Sequence, residues 1–207
     1  MRYGVQKPRR RNEIQFEASD DAKSEIYKEP SYIERVDNRI YFYAEVDSEQ
    51  VLKLNRNLRE ITGEMLHSAR IEERSPASIF LHVHSYGGDM FAGFAAMDEV
   101  MGCGVPVTSI IDGAAASAAT LITVSATHRV IRPHAYVLIH QISSVFWGKY
   151  SEMKDEMENM ERFMDMLKGV YSTYTKVTPE MLDEILEHDL WFDADTALKY
   201  GIVDEIG

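Results

Sequence analysis

Five short, predominantly apolar runs constrain this chain more than anything else in it. They fall at residues 40–46, 79–83, 105–111, 129–131 and 136–140. Between the first three lie stretches of helical period. Val51, Leu54, Leu58, Ile61 and Met65 recur every three or four residues after Asp47, which sits three before Gln50 as a cap residue would. A second helix is expected over 89–101, ended by Gly102 and Gly104. A third, alanine-rich and buried, is expected over 117–126, after a chain turn at Gly113. Strand alternating with helix predicts βαβ units and a largely parallel sheet. The strands are mostly apolar, as expected of a sheet covered on both faces.

Residues 151–175 follow a different rule. Met153, Met157, Met160, Met164, Leu167, Tyr171 and Tyr174 alternate spacings of four and three, a heptad stripe on one long helix with acidic outer faces. The stripe needs cover, either from its own domain or from another subunit. Thr178-Pro179 opens a further helix to about residue 187, residues 190–192 are extended, and Asp193 caps a last short helix ending at Gly201.

The 207-residue chain suits one α/β domain, starting near Tyr32 and spanning 31–207, behind a basic, solvated arm at 1–30. Net charge is -12, although Arg2, Lys7, Arg9, Arg10 and Arg11 crowd the first twelve residues. So acidic a body repels phosphate backbones, which argues against nucleic-acid binding. No apolar run approaches the length of a membrane span. The single cysteine, Cys103, rules out an intrachain disulfide and is compatible with a reducing cytoplasm. A cytoplasmic protein without membrane contact is the expectation.

Three features bear on chemistry. Ser117, in Gly113-Ala-Ala-Ala-Ser-Ala-Ala, stands at a strand-to-helix turn among small residues, which leaves room for an exposed hydroxyl and nearby backbone N–H donors. Taken alone, a serine there is ordinarily a helix cap. His140 closes an apolar strand, where a crevice outside the sheet is reachable, although an isolated histidine is more often a satisfied core residue. Asp189, before a short extended stretch, is placed to orient an imidazole or simply to end a helix. His82 and His84 share a strand face, but no third ligand gives them metal spacing, so no metal and no cofactor is expected.

Taken in order, these segments resemble the proteolytic-subunit family of the Clp protease, ClpP. The resemblance runs from about residue 39 to 206. It rests on Ile-Phe-Leu-His-Val-His-Ser-Tyr-Gly-Gly at 79–88, the Ser117 segment, Leu138-Ile-His-Gln, and the run from Asp189 to Asp204. It implies a ClpP/crotonase-like α/β fold with a long protruding handle helix at 151–175. It implies Ser117 as nucleophile, His140 as general base and Asp189 as orienting acid, with the N–H groups of Gly87 and Ala118 as oxyanion hole. It also implies a homo-oligomer, a double ring of seven-membered rings, that cleaves unfolded polypeptides supplied by a hexameric AAA+ unfoldase. A ClpP paralogue is a further partner of that kind.

The chain departs from the family pattern at several points. Tyr86 replaces the proline before the glycine pair, Ala118 replaces a methionine, and residues 141–147 lack the usual proline and glycines. Phe80 and His82 fall where the family places aromatic residues of its unfoldase-docking groove. Two other functions fit the same outline: a structural or regulatory ring subunit of little activity, and a crotonase-type acyl-CoA enzyme that would not need Ser117, His140 and Asp189 together.

Overall fold

In the computed structural model, which describes residues 32–207, the apolar runs become strands of one eight-stranded sheet. The arm expected over 1–30 lies outside the described residues. The sheet opens with a strand that Tyr-Ile-Glu-Arg-Val concealed by its polarity. β1 (Tyr32–Val36) pairs antiparallel with β2 (Arg39–Tyr43) on the sheet edge. Helix α1 (Ser48–Ile71) follows, with the Asp47 side chain accepting from the Gln50 N–H as the cap. Its Leu54, Leu58 and Ile61 are buried on the sheet.

β3 (Ile79–Ser85), α2 (Met90–Gly102), β4 (Val107–Ala116), α3 (Ala118–Val124) and β5 (His128–Ile131) continue the alternation. β2, β3, β4 and β5 pair in parallel. β6 (Tyr136–Leu138), α4 (Tyr150–Tyr174), α5 (Pro179–Leu186), β7 (Trp191–Phe192), α6 (Ala194–Lys199) and β8 (Glu205–Ile206) complete the domain. Every residue of α3 is buried, so this helix is core rather than surface. Each fully buried leucine or isoleucine in such a layer contributes roughly 1.5–3 kcal/mol.

The expected turn at Gly113 does not occur. β4 runs through it to Ala116, and Gly113 marks a bulge instead. Val83 pairs with Ile111 and Ser85 with Ala115, so two steps on β3 match four on β4. A Cβ on Gly113 would lie 2.7 Å from His84 Nδ1, and the next N–H, of Ala114, donates to that nitrogen at 3.1 Å. The bulge lets β4 serve two partners. Thr108–Ile111 pair with β5, and Ala114–Ala116 pair with β6. Where β5 and β6 part, the chain delivers Ser117 to the end of β4.

The heptad stripe of α4 is divided. Leu167 and Tyr171 are buried in the domain, whereas Met153 and Met157 are exposed. The helix is anchored at its C-terminal end by Arg129 of β5. That guanidinium bonds the carbonyls of Tyr174 and Gly201 and both carboxylate oxygens of Asp204.

The Arg129 pair holds the Asp204 carboxyl below its ordinary value of 3.8. A depressed folded pKa adds stability above the unfolded value, and that stability is lost as pH falls through the folded one. Arg129→Met is therefore expected to destabilise the domain by about 1.5–3 kcal/mol at neutral pH. The deficit in urea unfolding should narrow as pH drops below about 3.8. A deficit independent of pH would assign the loss to the two carbonyls alone.

Candidate active site

Ser117 is the single residue between β4 and α3, at φ 53° and ψ -128°. An L-residue held there costs about 1–3 kcal/mol, so its surroundings must fix it. They do so on both sides of its peptide units. The Ser117 N–H donates to Leu138 O at 2.9 Å, tying the turn to β6. Its carbonyl accepts from the Thr120 N–H at 2.9 Å and from Thr120 Oγ1 at 2.6 Å. With that proton spent, the hydroxyl contact between Thr120 and Tyr171 must have Tyr171 as donor. Tyr171 comes from α4 and is fully enclosed, and burial pushes its phenol up to about 12. Thus α4 supports the turn through one buried chain of hydroxyls. The Ser117 side chain makes no capping bond, so the ordinary role of a serine at a helix start is not the one it plays.

The glycine pair fits against this turn. Gly87 has φ 95°, and a Cβ on it would stand 2.6 Å from Ala116 O and 2.7 Å from Ser117 Cβ. Gly88 has φ 146°, and its added Cβ would meet Val46 O at 2.5 Å. The loop is pinned there because Val46 donates to Gly87 O at 2.8 Å and Asp89 donates to Val46 O at 2.7 Å.

The N–H groups of Gly87 and Ala118, the two the resemblance implied as donors, are placed differently. The Gly87 N–H is spent on Ser85 Oγ at 3.2 Å. The Gly88 N–H has no acceptor among the described residues, and Gly88, not Gly87, lines the cavity beside Ser117. Ala118 also lines it, and as the first residue of α3 its N–H has no acceptor within the helix.

His140, just past β6, lines the same cavity of about 290 Å³. Asp189 stands behind it, outside the lining. Its Oδ1 is 4.0 Å from His140 Nδ1, beyond hydrogen-bond length, and its side chain is 79% exposed. No hydrogen bond joins Ser117 to His140 among the described residues. The structure therefore brings Ser117, Ala118 and His140 to one cavity and leaves Asp189 one contact away.

The middle of β3 carries a polar cluster that isolated histidines did not announce. His82 is buried, with Nδ1 2.9 Å from Asp112 Oδ2 and Nε2 3.0 Å from the Arg39 guanidinium. Arginine can only donate, so Nε2 must accept and the proton sits on Nδ1. Asp112 Oδ2 also accepts from Tyr43 at 2.7 Å, and burial with this bond raises the Tyr43 phenol. Tyr41 stacks on His82 at 4.6 Å, and Arg39 covers Phe80 at 4.6 Å. The signal lay in five charged or aromatic residues at alternate strand positions, Arg39, Tyr41 and Tyr43 on β2 and Phe80 and His82 on β3, visible only once the register was known.

A sequence model described as Clp protease matches residues 32–207. The ATP-dependent Clp protease proteolytic subunit of Zea mays is 31% identical over 167 residues, covering 77% of this chain and 76% of that protein. The wheat (Triticum aestivum) protein of the same name matches to the same extent. The chain belongs to the Clp protease family. A solved ClpP1 mutant from Listeria monocytogenes superposes with a TM-score of 0.71, over 82% of this chain and 91% of that one, at 22% identity. The fold is thus ClpP-like, and the family makes the chain a protease. In this chain the forked pairing of β4 places a strand end, a helix start and a glycine loop around one cavity.

Both glycines are expected to be intolerant of a side chain. Gly87→Ala forces strain at positive φ and a clash with the Ser117 turn, and Gly88→Ala a clash with Val46. Each should lower the unfolding midpoint by several degrees, as a loss of about 1–3 kcal/mol would. Unchanged thermal unfolding in both variants would show that the loop relaxes freely.

Proposed function

We propose that this protease is a serine endopeptidase with Ser117 as nucleophile, His140 as general base and Asp189 as the orienting acid. The observation that supports it most is the Ser117 hydroxyl, uncommitted to capping, at a strained turn in one cavity with His140. His140 takes the Ser117 proton as Oγ attacks the peptide carbonyl. The resulting oxyanion accepts from two backbone donors, which we assign to Gly88 and Ala118, each worth roughly 3 kcal/mol in enzymes of comparable design. His140 then protonates the departing amine, and water repeats the sequence on the acyl-enzyme. No step calls for a metal or a cofactor.

Peptidases of this kind must be kept from folded proteins. The uncovered Met153 and Met157 of α4 support a handle that joins two rings into a closed chamber, here read as a double heptamer of this chain or of this chain with a paralogue. Unfolded polypeptide is the substrate, and an AAA+ unfoldase the feeder. The polar Arg39–His82–Asp112 cluster favours a partner loop that is polar where it meets β3.

The 4.0 Å gap between His140 and Asp189, and the missing Ser117–His140 bond, favour a second reading, a ring subunit that regulates an active partner. Catalytic hydrogen bonds are often long before substrate arrives, so the gap alone does not decide. Fluorophosphonate labelling of the assembled protein separates the two. The peptidase reading expects an adduct on Ser117, weaker in His140→Ala. It also expects peptide hydrolysis to fall on the order of 10⁴-fold or more in Ser117→Ala. An unlabelled closed ring that alters a paralogue's activity would establish the regulatory subunit instead.

A further inference from the structure

The cavity beside Ser117 is mostly apolar, yet it is not neutral. Leu121 of α3 and Met160 and Phe163 of α4 form a wall, and Phe91 packs edge-on to Phe163 at 5.2 Å. Glu156 lines the same cavity, four residues before Met160 and seven before Phe163, so it stands one turn along the face that carries the wall.

Its carboxylate is uncommitted. Asp89, the other acid of the lining, accepts from the Ala92 N–H as the cap of α2. Glu156 has no hydrogen-bond or ion-pair partner among the described residues, although its neighbour Glu158 is paired with Arg162 outside the cavity. No lysine or arginine lines the space. An apolar trough ending in one unpaired carboxylate suits a side chain with an aliphatic stem and a cationic head. The faces of Phe91 and Phe163 offer that head a second attraction. A neutral apolar side chain would fill the trough but leave the carboxylate unanswered.

We propose that Glu156 makes this cavity a subsite for lysine or arginine at the residue immediately before the cleaved bond. The proposal rests on Ser117 being the nucleophile, because that serine defines which substrate residue the cavity receives.

The test uses the assembled full-length protein and peptidyl-aminocoumarin substrates that differ only at this residue: lysine, its neutral isostere norleucine, and glutamate. The readout is the ratio of kcat/KM values within each variant, so changes in overall activity cancel. Wild type should favour lysine over norleucine. Glu156→Gln should lower that ratio about tenfold, and Glu156→Lys should shift preference to glutamate. Glu158→Gln removes the same net charge outside the cavity and should leave the ratio as in wild type. Equal ratios in wild type and Glu156→Gln, with Ser117 labelled by fluorophosphonate, would overturn the subsite while the nucleophile stands.

If Ser117 does not label, the nucleophile reading fails and binding decides the rest. A peptide ending in lysinamide should then bind wild type about tenfold more tightly than Glu156→Gln, and equal affinity would overturn the subsite as well.

Discussion

Everything near the cavity depends on the left-handed backbone of Ser117. A strained residue persists only if what surrounds it would lose more by letting it relax. Here the bond from Ser117 to Leu138 O would go first, and with it the alignment of β6 that carries His140. The loop at Gly87 would lose its seat against Ala116 O. The strain is therefore shared by β4, β6, α3 and the glycine loop, and no one of them sets it alone. This also explains why the surrounding residues are so small. Alanines at 114, 115, 116, 118 and 119 let backbone approach backbone, and larger side chains would force the elements apart.

The middle and the C-terminal end of β3 show how one strand serves two different surfaces. Just past its C-terminal end the sequence thins to glycine, so that backbone packs directly against the Ser117 turn. At its middle, His82 is satisfied on both ring nitrogens, by an acid on one side and a cation on the other. Buried polar groups in such a cluster are stable only while every partner is in place. The cluster therefore specifies the face more narrowly than an apolar groove would. Any group approaching it meets donors at Arg39 and Arg132 around an acid already bonded to both Tyr43 and His82.

How much was legible beforehand follows from what kind of interaction set each feature. Caps at Asp47, Thr178 and Asp193, and the helical stripes, depend on neighbours within four residues, and their positions were readable from the chain. The bulge at Gly113 depends on His84 of the next strand, so a glycine that looked like a turn was a contact. Which of Gly87 and Gly88 keeps an unpaired N–H depends on which one Ser85 Oγ captures, and no local pattern encodes that. β1 was hidden because an edge strand with one half-covered face need not be apolar. The His82 cluster stayed invisible because its bonded partners lie 30 to 69 residues apart.

The separation of His140 from Asp189 has its origin in where each is hung. After His140 the chain passes Ile142, whose N–H meets Met164 of α4. Asp189 follows α5, which Lys168 of α4 holds through Asp183. Ser117 is braced by Tyr171, also of α4, through Thr120. All three residues are thus referred to one helix, whose first turns expose Met153 and Met157 and bury nothing. Surface of that kind gains free energy when covered, and whatever covers it bears on the helix that sets the distances within the cavity. The same helix places Glu156, so one element both braces the serine turn from behind and carries the unpaired carboxylate of its neighbouring cavity.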